Sequence, residues 1–153
     1  MNSVDIFNIL SNNPHSKRIF RGVYALDELP YIVDTSRRQA FVINTDYSDG
    51  PGEHWVSVYS NGFGRAEFFD SFGLSPTYYA EIEKFINRNF LSYTYNKRLV
   101  QDLTSSFCGV YAIYFVLMKS MGRSLVRSLS VFDSYKLRNN DKRVLELVRR
   151  LLR

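Results

Sequence analysis

An α+β fold, with a mostly antiparallel central sheet packed against a buried central helix and flanked by further helices, is what the order of elements along this chain predicts. Three observations carry that expectation. Two short segments, 39–45 and 54–59, are rich in β-branched and aromatic residues, and Asn61-Gly62 turns the second back onto a third, 65–70. The segment from Cys108 to about Met121 is apolar on nearly all sides, as in a helix enclosed in the middle of a domain. Helical periodicity recurs at 77–90 and again near the C-terminus.

In order, Ser3 is placed to cap a short helix over 3–12, with Ile6, Phe7 and Leu10 on one face and Pro14 just beyond its end. Residues 19–24 read as an extended piece interrupted by Gly22, and Leu29-Pro30 as a turn. Residues 46–52 are a loop by their Asp, Ser, Gly and Pro content. In the strand 54–59, His54, Val56 and Val58 face one way and Trp55, Ser57 and Tyr59 the other. Thr77 is placed to cap a helix through Phe90 whose apolar face is Ile82, Phe85, Ile86 and Phe90, and strand character returns over 93–100. Ser105 or Ser106 is a suitable N-cap for the central helix, and Gly122 stands where a C-cap glycine belongs. A basic, Ser-rich linker leads to a last amphipathic helix, capped from Asn139-Asn140-Asp141, with Val144, Leu145, Val148, Leu151 and Leu152 on its apolar face.

The 153 residues are read as one domain, 1–153, long enough to bury a core. A single cysteine cannot close an internal disulfide and fits a reducing compartment. One Cys and two His argue against a zinc site, so no metal is expected. No basic-then-apolar leader opens the chain, and its longest apolar run is too short for a bilayer. Charge is uneven. Residues 1–118 hold 10 Lys/Arg against 12 Asp/Glu, a net of −2, whereas 119–153 hold 10 against 3, a net of +7. That segment either tracks a polyanion such as a nucleic-acid backbone or is a solvated helix face.

The chemistry gathers on Cys108. At a helix start the free backbone N–H groups and the positive end of the dipole favour a thiolate. A cysteine nucleophile needs a base, and the base needs an orienting acceptor. Of the two histidines, His15 lies in a polar loop, whereas His54 stands at a strand end after a Gly-rich loop. The hairpin brings Asp70 roughly level with His54, where it can accept the ring N–H. Gln101, one loop upstream of Cys108, is placed to form an oxyanion hole with the Cys108 backbone N–H. Each residue has a plainer reading: a core thiol, a structural histidine, a turn acid. The ordered set Gly-Glu-His-Trp, Phe-Phe-Asp-Ser-Phe-Gly and Gln-x₆-Cys-Gly favours the chemical one.

Those three motifs resemble the adenovirus maturation protease (adenain) family and its relatives in small double-stranded DNA viruses, virophages and Polinton-type elements. Gly52-Glu53-His54-Trp55 is similar to the family's Gly-x-His-Trp; Phe69-Asp70-Ser71-Phe72-Gly73 to its Phe-acid-x-Phe-Gly; and Gln101 precedes Cys108-Gly109 at the family's spacing. The resemblance covers about 1–121 and implies a papain-like, adenain-like fold. It implies His54 as general base, Asp70 as orienter, Gln101 as oxyanion donor and Cys108 as nucleophile. Trp55 would pack near the base, and Trp55 and Gly109 would be the residues that support substrate or base. It implies an endopeptidase, acting as a monomer in the virion and the infected cell, that cuts viral precursor polypeptides at Gly-Gly or other small-residue sites. DNA or an activating peptide would be a non-covalent cofactor; without a second cysteine a disulfide-tethered activator is excluded. The basic residues available to DNA are Arg123, Arg127, Lys142, Arg143, Arg149 and Arg150. The same motifs also fit a protease removing ubiquitin-like modifiers; a His/acid/Cys acetyltransferase would need an acetyl-CoA site, of which there is no sign. A DNA-binding virion protein with an inert Cys108 is the alternative of another class.

Overall fold

The computed structural model describes residues 1–153. Five strands form one sheet in the order β1 (Phe20–Tyr24), β2 (Arg38–Asn44), β3 (Trp55–Asn61), β4 (Arg65–Phe69), β5 (Ser92–Tyr95). The sheet is mixed. β2–β3 and β3–β4 are antiparallel, but β1–β2 and β4–β5 are parallel, which corrects the mostly antiparallel expectation. The cause lies in the connections. The helix between β4 and β5, α2 (Ala80–Asn89), is a crossover that returns the chain to the same end of the sheet, as a parallel pair requires. The segment 25–37 does the same between β1 and β2.

Side-chain alternation divides the core between the two faces of the sheet. Ala40, Val42, Tyr59 and Phe69 pack under α3 (Cys108–Ser120) together with α1 (Ser3–Asn12), α4 (Leu125–Leu129) and α5 (Leu137–Leu151). Phe41, Ile43, Val56, Val58 and Phe68 pack under α2, against Ile82, Phe85 and Ile86. The nearly uniform apolarity of α3 follows: sheet lies on one side of it and α1 and α5 on others, so every face from Val110 to Leu117 is buried.

Several boundaries differ from expectation, each for a local reason. Asn2, not Ser3, caps α1, in a capping box with Asp5. Ser75, not Thr77, caps a 3₁₀ turn (Pro76–Tyr78) that precedes α2. β5 ends at Tyr95 because Asn96 turns inward: its amide nitrogen donates to the carbonyls of Asp70 and Arg98. The presumed linker holds α4, capped by Ser124. α5 starts at Leu137, so Asn140 and Asp141 lie inside it. Both are buried, Asn140 donating to the carbonyls of Val100 and Asp133 and Asp141 accepting from the Tyr111 hydroxyl. Gly122 does end α3: its N–H bonds Lys119 O, and that of Arg123 bonds Met118 O, the paired bonds of a Schellman motif. No helix is long and apolar enough to cross a membrane.

Candidate active site

The hairpin register sets the first two groups. β3 and β4 pair Ser57 with Phe69 and Val58 with Phe68. Continued past the ladder, that register places Asp70 opposite Val56 and Phe72 opposite His54. Asp70 is thus one diagonal step from His54 on the same face, within reach of a side chain. The His54 Nε2 lies 2.7 Å from Asp70 Oδ1. The Phe72 ring stacks on the imidazole at 4.5 Å, nearly parallel.

Asp70 is wholly buried, so its charge depends on donors. Oδ1 also accepts the Phe72 N–H at 2.8 Å, and Oδ2 accepts the Tyr79 hydroxyl at 2.6 Å. Its backbone is fixed as firmly, since Asp70 N–H bonds Asn96 Oδ1 and Asp70 O accepts the Asn96 amide. Gly73 closes this turn at φ +73, with the Arg98 and Leu99 backbone so close that a Cβ would sit 2.5 Å from Arg98 C. Only glycine fits there.

Cys108 is the first residue of α3, and no side chain caps this end; Phe107 holds the cap position. The expected cap by Ser105 or Ser106 is absent, because Ser105 faces Gln101 instead. The first backbone bond of α3 is Tyr111 N–H to Phe107 O, which leaves the amides before it outside the ladder. The backbone amides of Gly109 and Trp55 and the His54 side chain all face the Cys108 sulfur closely enough to stabilise its thiolate. With Nε2 on Asp70, Nδ1 is the ring nitrogen left for the thiol.

The protonation states follow from these contacts. Burial alone would lower the His54 pKa and is the largest single influence. The hydrogen bonds to Asp70 and Cys108, with the charges of both, outweigh it and push His54 from 6.5 up to about 9. Burial would raise the Cys108 thiol; the His54 hydrogen bond, the Trp55 and Gly109 amides and the imidazolium charge bring it below its ordinary value of 9.0. Each group thus favours the charged form of the other.

A cleft of about 660 Å³ opens beside Cys108, lined among others by Met1, Tyr24, Glu53, Trp55, Ser106 and Gly109. In its lining Gly109 leaves little room for a side chain: a Cβ would lie 3.1 Å from Met1 Sδ and 3.2 Å from Trp55 Cδ1, so those side chains would have to give by a few tenths of an ångström. Trp55 is not the ring packed on the base. Strand alternation turns it to the α3 side of the sheet, where its indole N–H donates to Met1 O at 3.4 Å. Phe72 takes the place beside His54 instead.

Gln101 is wholly buried and does not line the cleft. Its Oε1 accepts from Ser71 Oγ at 2.5 Å, and its Nε2 faces Ser105 O at 3.0 Å and Ser105 Oγ at 3.2 Å. In this structure it braces the loop before Cys108 against the loop after Asp70. Phe72, Tyr79, Ser71 and Asn96 were not singled out as site residues. Phe72 was recoverable from the register count; the Tyr79, Ser71 and Asn96 contacts depend on how loops close, which carries no periodic signal.

No protein-family model matches the chain. Over 62 residues it is 37% identical to a cysteine protease of African swine fever virus. That match covers 35% of this chain and spans only 23% of the length of the viral protein. A crystal structure of the African swine fever virus protease aligns with 100% of this chain and 68% of its own, at a TM-score of 0.58 and 17% identity. The fold is shared with a viral protease.

The six basic residues of 119–153 singled out above are all exposed. Lys142 and Arg149, and Arg143 and Arg150, stand seven residues apart on α5 and so share one side of it. Arg123 and Arg127 belong to the α4 region; the Arg143 charge acts on Tyr114, whose hydroxyl bonds Ser128 in α4.

Proposed function

We propose that the chain is a cysteine endopeptidase of viral type, with Cys108 as nucleophile, His54 as base and acid, and Asp70 as the group that orients His54. The observation that carries this is the chain of contacts Asp70–His54–Cys108 ending on an uncapped helix start at the edge of a cleft. The partial likeness to a viral cysteine protease supports it. In the reaction, the Cys108 thiolate attacks the scissile carbonyl, and the carbonyl oxygen takes the negative charge. The imidazolium of His54 gives its proton to the departing amine, leaving a thioester on Cys108. Neutral His54 then takes a proton from water as it attacks the thioester, and the acid product leaves. Asp70 on Nε2 keeps Nδ1 directed at the sulfur throughout.

The substrates in this reading are viral precursor polypeptides cut in virion maturation, at Gly-Gly or similar small-residue sites. The close packing of Gly109, Trp55 and Met1 beside Cys108 supports a channel that favours small side chains. Incubation with candidate precursors, followed by mass spectrometry of the new termini, tests the assignment. New termini after small residues, absent with Cys108→Ala, are expected; intact precursors at all enzyme concentrations would remove it.

Gln101 serves this chemistry as oxyanion donor only if substrate draws its amide from Ser105 toward the cleft. On that basis Gln101→Ala is expected to lower kcat by about 10²–10³. Near-normal turnover would leave Gln101 as the brace between Ser71 and Ser105 alone.

DNA is proposed as a non-covalent cofactor, held by Arg123, Arg127, Lys142, Arg143, Arg149 and Arg150 in the net +7 segment. Duplex binding is expected at low salt, with an affinity that falls steeply as salt rises; binding with no salt slope, or none at low salt, contradicts the proposal. The protein is expected to work as a monomer, in the virion and in the reducing interior of the infected cell.

A further inference from the structure

We propose that Tyr79 is a positioning residue of this site: its hydroxyl, donating to the outer oxygen of Asp70, moderates how tightly Asp70 holds the His54 imidazolium. The inference rests on the peptidase reading above but concerns a residue that none of its motifs includes.

The geometry is specific. Tyr79 Oη lies 2.6 Å from Asp70 Oδ2, on the side away from His54. The Asp70 side chain is wholly buried, and Tyr79 is the only donor that reaches Oδ2, whereas Oδ1 has both the His54 ring and the Phe72 N–H. Tyr79 sits at the junction between the 3₁₀ turn and α2, in the N-cap position of α2, with its side chain free of capping duty. Its ring packs toward Phe68, 6.1 Å between centroids, on the α2 face of the sheet. A rigid aromatic stem thus delivers one hydroxyl to one oxygen. Burial, reinforced by the Asp70 contact, keeps the phenol protonated well above its ordinary range, so the donor persists wherever the enzyme works.

The consequence follows from charge. A donor on Oδ2 draws negative charge from the carboxylate and weakens its pull on the imidazolium. The pull must be limited, because His54 has to release its proton to the leaving amine. An imidazolium held too tightly is a poor acid. Tyr79 therefore lets a buried acid orient His54 without locking its proton.

The test is a ¹⁵N-histidine NMR titration, which reports only His15 and His54, with His54→Ala for assignment. Tyr79→Phe keeps the ring against Phe68 and removes one oxygen. It is expected to move the His54 titration upward by about one pH unit. Placing 3-fluorotyrosine, a stronger donor, at position 79 moves it downward, and this second protein keeps the test decisive if Tyr79→Phe folds poorly. A His54 titration that is unchanged or reversed in sign in either protein overturns the role of Tyr79 while leaving the peptidase reading in place. A wild-type His54 that titrates at or below 6.5 overturns both.

Discussion

Cys108→Ala is expected to abolish peptide cleavage and to leave the protein folded. Removal of the nucleophile from a cooperating set of groups costs on the order of 10⁶ in kcat, because the rest of the set has nothing to act through. The fold does not depend on the sulfur. Cys108 is partly exposed at the first position of α3, not in the packed run from Val110 to Leu117. Alanine is the best helix former, and the substitution opens no cavity in the core. The cost in unfolding free energy is expected to be within about 1 kcal/mol. Denaturant unfolding and a cleavage assay on the same sample check both halves. Loss of the fold would mean that Cys108 is a packing residue whose chemistry is incidental.

His54→Ala is expected to lower cleavage by on the order of 10⁴ or more and to slow alkylation of Cys108 at neutral pH. Two effects combine. The sulfur loses the His54 contact and positive charge that help bring its pKa down, so burial is opposed only by the Trp55 and Gly109 amides and the thiolate fraction falls. No group is left to protonate the leaving amine. This variant is also expected to be less stable, unlike Cys108→Ala. Asp70 Oδ1 loses the ring N–H while remaining buried, and a charged acceptor short of a partner costs about 1–3 kcal/mol or more. Asp70→Asn in the same background should recover part of that stability without restoring cleavage. Unchanged alkylation in His54→Ala would detach the histidine from the sulfur.

Much of this site is visible in the sequence because local rules place it. Asn61-Gly62 sets a hairpin, the hairpin sets a register, and the register brings His54 and Asp70 to one face. Cys108 marks the start of an apolar run that can only be a buried helix. The coarse α+β fold is visible for the same reason. What strand propensity could not supply was the direction of the outer pairs, since the long connections 25–37 and 70–91, not the strands, decide whether β1 and β5 run parallel to their neighbours. Cap residues were misplaced by tertiary demand. Ser105 was needed by Gln101, and Asn140 and Asp141, plausible as caps, were needed to satisfy Val100 O and the Tyr111 hydroxyl deep in the core. For Trp55 the strand alternation was the better guide than the family resemblance: it follows His54 in sequence, and for that reason its ring points the other way.

In the proposed mechanism Cys108 is a thiolate paired with the His54 imidazolium. The rate of iodoacetamide alkylation at Cys108 as a function of pH tests it most directly. The expected rate begins to rise at a pH below that of an ordinary thiol and changes a second time near pH 9, where His54 loses its proton. A single rise centred at or above 9, no faster than a free thiol at any pH and identical in His54→Ala, would contradict it.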